Sequence, residues 1–242
     1  PSLAGGGAER VFVNLVKTID KSIFDVTLIY LSDERNIYKV PPNIKQVNLN
    51  SKRTRNAVMK IIRLIRKEKP DLIISTIGQL NLLLLLLKRI LPRNTKLVVR
   101  QTFIPSMNIS NNPVKRFVQK SILKRYSKAE KVICQSEFMR DDFIKLSGIS
   151  PDRVVEIHNP VDIEDLHLKA REKIDYNLDK DYKNIFYVGR LDEVKRIPLI
   201  IDAFVQFNNN HPKSKLYIIG EGPKKNEIKK YIEKNNINGK AI

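Results

Sequence analysis

The chain has 242 residues, 42% of them apolar, with a single cysteine, no tryptophan and a formal net charge of +19. This apolar fraction belongs to a folded globular protein and excludes a disordered or collagen-like chain. One cysteine (Cys134) excludes a disulfide framework, and three scattered histidines (His158, His167, His211) form no zinc-site spacing, so no metal is expected.

The basic excess is a statement about partners, because charge says little about fold. It sits mainly in residues 1–165 and leaves two candidate partners, nucleic acid and anionic lipid. The most apolar run, Leu82 to Leu87, is closed by Lys88 and Arg89. It falls far short of the ~20 residues that span a bilayer, and reads as a buried helix. A soluble or peripherally attached, cytoplasmic protein is expected.

The chain opens on a glycine loop, Gly5-Gly6-Gly7, which leads into a helix over Ala8–Thr18 with Val11, Leu15 and Ile19 at helical spacing. Val26–Leu31 reads as a buried strand. Ala57–Lys67 is a basic amphipathic helix that stops before Pro70, and Leu72–Ser75 follows as a strand. Further helices are expected over Leu80–Leu91, Val114–Ser127 and Glu137–Leu146, with strands at Leu97–Val99, Lys131–Cys134 and Val154–Ile157. On the second of these helices Val114, Phe117, Val118 and Ile122 share one side, while Arg116, Lys120 and Lys124 recur on another. Together with Lys115, Arg125, Lys128 and the cations between Lys52 and Lys67, they form a candidate surface for anionic membrane. The high Lys, Ile and Asn content also suggests an AT-rich genome, which would inflate lysine with no function attached.

Residues 164–183 are polar and unpatterned and read as a linker. Beyond it, strands are expected at Ile185–Val188 and Leu216–Ile219, helices at Ile197–Asn208 and Lys224–Lys234, and a strand starting at Ala241-Ile242. Alternating strands and helices imply parallel sheets covered on both faces. The expected fold class is therefore α/β, with two doubly wound Rossmann-like domains at 1–163 and 184–242, the second incomplete. The chain lacks an initial Met and closes where an apolar run starts, so it reads as a piece of a longer protein.

Five segments in order resemble the signatures of glycosyltransferase family 4. They are Gly5-Gly6-Gly7-Ala8-Glu9-Arg10-Val11, Ser136-Glu137 with Arg140-Asp141-Asp142, and Ile157-His158-Asn159-Pro160-Val161-Asp162. Val188-Gly189-Arg190-Leu191 with Lys195-Arg196, and Ile219-Gly220-Glu221-Gly222-Pro223, complete the set. The resemblance implies the GT-B fold and retaining transfer of a sugar from a nucleotide-diphosphate donor to a lipid-linked or saccharide acceptor. No cofactor is implied beyond the nucleotide sugar, which is a substrate. Such enzymes make cell-surface polysaccharide or lipopolysaccharide, here on the inner face of the plasma membrane.

The residues support these roles on physical grounds. A glycine loop entering a helix offers free N–H groups and a positive dipole end to a phosphate, which makes Gly6 and Gly7 donor-binding candidates; Glu9 could equally complement that dipole. Arg190 follows a parallel strand and Lys195 begins the next helix, at the sheet edge where such folds bind ligands. The two cations are candidate catalytic groups that hold the diphosphate as it leaves. Arg196 is expected to face solvent. Gly189, Gly220 and Glu221 are further donor-side candidates, although the last turn needs no ligand to exist. Asn159-Pro160 suits a rigid turn near a hinge, and His158 is expected to pack against its neighbours.

Two departures from the family pattern stand out. The acceptor-side histidine would lie near Val99-Arg100-Gln101-Thr102, where Arg100 is a weaker candidate for an anionic acceptor. The glutamate pair downstream of the last signature has no counterpart before Ile242, so this piece alone is expected not to catalyse transfer. Alternative readings are a basic nucleic-acid-binding protein, for which no recognisable module exists, and a nucleotide-sugar-dependent synthase or phosphorylase of the same fold.

Overall fold

A computed structural model describes residues 6–32, 38–51, 53–173, 176, 178–237 and 239. The expected strand at Ala241-Ile242 lies outside them. The chain divides into two compact units, Pro1–Lys169 and Ala170–Ile242.

In the first unit, helix α1 (Gly7–Thr18) precedes two parallel strands, β1 (Thr27–Tyr30) and β2 (Lys45–Asn48). Val13 and Val16 of the helix pack with Leu28 and Ile44 in a small core of their own. The larger core lies around a four-stranded parallel sheet in the order β3 (Leu72–Ser75), β4 (Lys96–Arg100), β5 (Lys131–Cys134), β6 (Val154–Glu156). Its crossovers are α3 (Gly78–Leu87), α4 (Pro113–Lys124) and α5 (Glu137–Ser147), and α2 (Val58–Glu68) precedes it. Ile61 and Ile65 of α2, Leu84 and Leu85 of α3, and Met139 and Phe143 of α5 meet Leu97, Val99 and Val132 of the sheet. Phe143 is fully buried and stands edge-on to Tyr126 with ring centroids 5.3 Å apart.

The helix ends follow local chemistry. Lys69, in the left-handed region ahead of Pro70, closes α2. The Ser136 hydroxyl accepts from the Met139 N–H to cap α5, which Gly148 ends at φ 68°. Asp142, from the same signature, accepts the Ser106 N–H at 2.9 Å and pins the short helix at Pro105–Asn108.

The stretch expected as a linker begins with a helix, α6 (Ile163–Ala170). Asp162 starts it by accepting the Asp165 N–H at 3.0 Å, and Lys169 pairs with Asp165 one turn back. None of its residues is buried: Ile163, Leu166 and Leu168 are exposed.

The second unit pairs β7 (Lys183–Val188) with β8 (Ser214–Ile219) in parallel along all six residues. Helices α7 (Ile197–Asn210) and α8 (Lys225–Lys234) cover one face, where Ile197, Ile201 and Phe204 meet Leu216 and Ile228.

Two expectations about surface change. Leu84 and Leu85 are buried, yet Leu86 of the same leucine run is exposed. The apolar side of α4 is not sealed: Val114 is 70% and Phe117 73% exposed, Val118 is also open, and only Leu123 is buried. Phe117, Val118 and Ile122, with Leu82 and Leu86, line a groove of about 450 Å³, edged by Arg125.

Candidate functional site

The sequence-derived candidates fall in both units, and each group is described within its own unit.

In the second unit, Arg190 and Lys195 lie in the connection from β7 to α7. Both are exposed, Arg190 at 71% of its side chain. The Arg190 Nε is 3.3 Å from Asp192 Oδ2, which holds the guanidinium beside the loop, while Asp192 Oδ1 is buried without a hydrogen-bond partner. Arg196 is exposed, as expected, and adopts φ 47° just before α7.

The Gly220-Glu221-Gly222 turn has a structural reason for its glycines. The Gly189 N–H donates to Ile219 O, Leu191 N–H to Glu221 O and Lys224 N–H to Leu191 O, all at 2.9–3.0 Å. These bonds zip the loop after β7 to the loop after β8. A Cβ on Gly222 would stand 2.2 Å from Leu191 O, and one on Gly220 1.9 Å from Gly189 O. Only glycine allows this approach. Glu221 points outward and pairs with Lys225 at 2.6 Å. The carboxyl edge of the small sheet thus presents a rigid double loop bearing exposed cations.

In the first unit, Gly6 precedes α1 and Gly7 opens it, with no side-chain cap. The Glu9 carboxylate folds back against Gly6, close enough that a Cβ there would meet it at 2.1 Å. The carboxylate therefore sits at the positive end of the helix dipole, as the dipole reading of Glu9 anticipated. Gly5 lies outside the described residues.

Arg100, the last residue of β4, is only 5% exposed. Its Nη1 donates to Thr76 Oγ1 at 2.8 Å and its Nη2 to Asn159 Oδ1 at 2.5 Å. Asn159 in turn donates to Gln135 Oε1 at 2.8 Å, Gln135 to Gln101 O at 3.0 Å, and Asn81 to Arg100 O at 3.0 Å. Burial pulls the Arg100 pKa below its ordinary value. Thr76, Asn81 and Gln135 escaped the sequence reading. For Thr76 and Gln135 the signal was available, because β3 and β5 each run from apolar residues directly into polar ones; Asn81 sits within the leucine-rich α3 and carried none.

The Asn159-Pro160-Val161-Asp162 segment is held at three of its four residues: Asn159 by Arg100 and Gln135, Pro160 O by Asn14 at 3.4 Å, and Asp162 as the cap of α6. His158 does not pack, contrary to expectation. Its side chain is 78% exposed, with Nε2 3.3 Å from Glu156. Burial among apolar groups pushes the Cys134 thiol up to about 12, which keeps it uncharged and a poor nucleophile. Among the described residues, no group of three or more His, Cys, Asp or Glu could hold a metal ion, and no helix is long and apolar enough to cross a membrane.

Comparisons with known proteins agree with this architecture. Residues 5–165 match the family model of Glycosyltransferase Family 4, and residues 169–242 match that of Glycosyl transferases group 1. A Campylobacter jejuni relative is the N-acetylgalactosamine-N,N'-diacetylbacillosaminyl-diphospho-undecaprenol 4-alpha-N-acetylgalactosaminyltransferase. It is 30% identical over 252 residues, covering 100% of this chain and 66% of the relative. An uncharacterized glycosyltransferase of Methanocaldococcus jannaschii is 27% identical over 74% of this chain and 46% of its own length. The chain thus spans between about half and two thirds of these curated relatives. The Anabaena protein HepE, solved with UDP-glucose, superposes with a TM-score of 0.69 at 17% identity, over 98% of this chain and 65% of that one. The lipopolysaccharide outer core galactosyltransferase WaaB superposes at 0.63 and 16% identity, over 99% and 64%. These likenesses establish the fold as that of GT-B glycosyltransferases. With family models matching along nearly its whole length, the chain belongs to the family 4, group 1 glycosyltransferases.

Proposed function

We propose that the whole protein transfers a sugar, with retention, from a nucleoside diphosphate donor to a lipid-linked or saccharide acceptor in cell-surface glycan synthesis. The observation that carries this reading is the zipped pair of loops at the carboxyl edge of β7 and β8, with Arg190 and Lys195 exposed upon it. Fixed cations at that edge neutralise charge as it develops on the departing diphosphate, and they need no reorganisation when the bond breaks. Asp192 keeps Arg190 aimed. Gly6 and Gly7 serve as donor contacts only when Glu9 swings away from the α1 terminus. No cofactor takes part; the nucleotide sugar is consumed. The Campylobacter relative supports the lipid-linked acceptor, since its name specifies a diphospho-undecaprenol substrate.

The test is a transfer assay of the full-length protein with a panel of nucleotide sugars and undecaprenyl diphosphate-linked acceptors. Donor-dependent sugar incorporation is expected. Tight RNA binding at moderate salt, with no transfer, would favour the nucleic-acid alternative instead.

The open side of α4 supports a peripheral site of action. Phe117 and Val114 project from a helix that also carries Lys115, Arg116, Lys124 and, just beyond its end, Lys128. An apolar stripe flanked by cations is the pattern of a helix lying in a membrane interface. Each lysine near an anionic surface contributes about 1 kcal/mol, and burying one aromatic ring roughly 2 kcal/mol. Phe117→Glu combined with Val114→Glu is expected to weaken co-sedimentation with phosphatidylglycerol vesicles at least tenfold without unfolding the protein. Reversal of Lys120, Lys124 and Lys128 to Glu, or added salt, should weaken it too. Binding indifferent to all three changes would leave α4 a plain solvated helix.

A further inference from the structure

We propose that the groove between α3 and α4 binds one chain of an anionic membrane phospholipid, with the lipid phosphate held at Arg125. This rests on the peripheral membrane surface proposed above for α4 and names the molecule that the surface takes up.

The groove suits an amphiphile. Leu82 and Leu86 of α3, with Phe117, Val118 and Ile122 of α4, line a space of about 450 Å³, within the roughly 300–1,000 Å³ of small-ligand sites. Leu86, Phe117 and Val118 are each more than half exposed, so these apolar walls stand open to solvent. The two other lining residues, Ser121 and Arg125, belong to the last turn of α4 and its end. The Arg125 Nη1 donates to Ser121 O at 2.9 Å, which fixes the guanidinium at the groove and leaves its other N–H donors for a phosphate. Apolar walls that end at a cation match a hydrocarbon tail that ends at a phosphate.

Charge selects the lipid. Residues 72–129 contain eleven Lys or Arg and not one Asp or Glu. Among the described residues only Lys88 of the eleven is ion-paired, with Glu130 at 2.9 Å. Arg89, Lys124, Arg125 and Lys128 lie in the turns that end the two helices, beside the groove's polar end. Cations gathered there without acidic partners complement an anionic headgroup. A nucleic acid would satisfy the cations and leave the apolar walls empty.

Position separates this lipid from the acceptor. Each of the two helices leaves the carboxyl end of one strand and returns to the amino end of the next, so Arg125 lies at the amino edge of the sheet. The 12 residues of α4 span about 18 Å at 1.5 Å per residue. The carboxyl edge, where open α/β sheets bind their substrates, is thus a helix length away. The groove therefore holds a lipid of the bilayer and not the acceptor.

The experiment titrates the full-length protein with dihexanoyl-phosphatidylglycerol, kept monomeric below its micelle concentration, and reads binding by calorimetry. Saturable binding of one lipid per chain is expected. It should be at least tenfold tighter than that of the phosphatidylcholine analogue, or of glycerol phosphate, which lacks the tail. Leu86→Trp fills the groove and keeps its wall apolar. It should weaken the monomeric lipid at least tenfold without weakening co-sedimentation with phosphatidylglycerol vesicles. Arg125→Gln should reduce the preference for phosphatidylglycerol over phosphatidylcholine at least fivefold. Circular dichroism establishes that each variant is folded; should Leu86→Trp not fold, Val118→Trp, on the opposite wall, carries the test. Absence of saturable binding by the unaltered protein, equal binding of the two headgroups, or indifference to the filled groove overturns the proposal. So does RNA binding that Arg125→Gln weakens while lipid affinity stays unchanged, which would give the cations to nucleic acid. Monomeric lipid bound by a protein that does not sediment with vesicles would sink the membrane surface of α4 and leave the groove standing, which keeps the two readings apart.

Discussion

Replacing Arg190 or Lys195 with Ala is expected to lower the turnover of the full-length enzyme at least tenfold each, and the pair together by about 10²–10³-fold. Removing one preorganised group that stabilises transition-state charge has effects of that order. Both side chains are exposed and neither belongs to the core, so the far-ultraviolet spectrum and melting temperature should be unchanged. The loss should fall mainly on kcat, because leaving-group charge develops in the transition state. Arg190→Lys should recover only part of the rate, since an ammonium cannot keep both the Asp192 contact and a bidentate grip on phosphate. Near-normal turnover in both alanine variants would remove these residues from the mechanism.

The second large effect concerns stability. Gly222→Ala places a methyl group 2.2 Å from Leu191 O, 2.6 Å from its carbonyl carbon and 2.8 Å from its nitrogen, all backbone atoms that no rotamer change can move. Overpacking of this kind costs about 1–3 kcal/mol or more, and relief requires the two loops to separate. Urea denaturation should show the second unit losing at least about 2 kcal/mol, with donor affinity falling in parallel. Gly148→Ala is the control: its φ is 68°, but the space around it is open, so the cost should stay near 1 kcal/mol. Equal effects at the two positions would mean that the loops are not held together as described.

Much of this architecture was legible in the residues, for identifiable reasons. Leu72–Ser75 and Lys131–Cys134 matched the observed strands at both ends, because each is a short apolar block bounded by polar residues or Pro. Lys45–Asn48 was missed: it has one apolar residue and lies at the edge of a two-stranded sheet, so it carries no burial pattern. The stripe on α4 was visible, but periodicity says that a face is apolar and not what covers it. Arg100 was visible as an acceptor-side candidate, but the network that holds it was not. Its partners Thr76 and Asn159 stand 24 and 59 positions away, and only strand order brings them together.

The glycines of the last signature illustrate the same division. Their spacing marked a turn at a strand end, yet the reason for them is the backbone of a loop some thirty residues earlier, reached through the parallel pairing of β7 with β8. A signature that resembles a donor site therefore encodes, first, the contact that builds the platform. The cations then stand on that platform.

Amide hydrogen exchange of the full-length protein with and without UDP tests the central claim most directly. Protection concentrated at Gly189–Arg196 and Glu221–Lys225, and abolished by Arg190→Ala with Lys195→Ala, is the expected result. UDP binding that protects only segments outside these two loops, or that survives the double substitution unchanged, would contradict it.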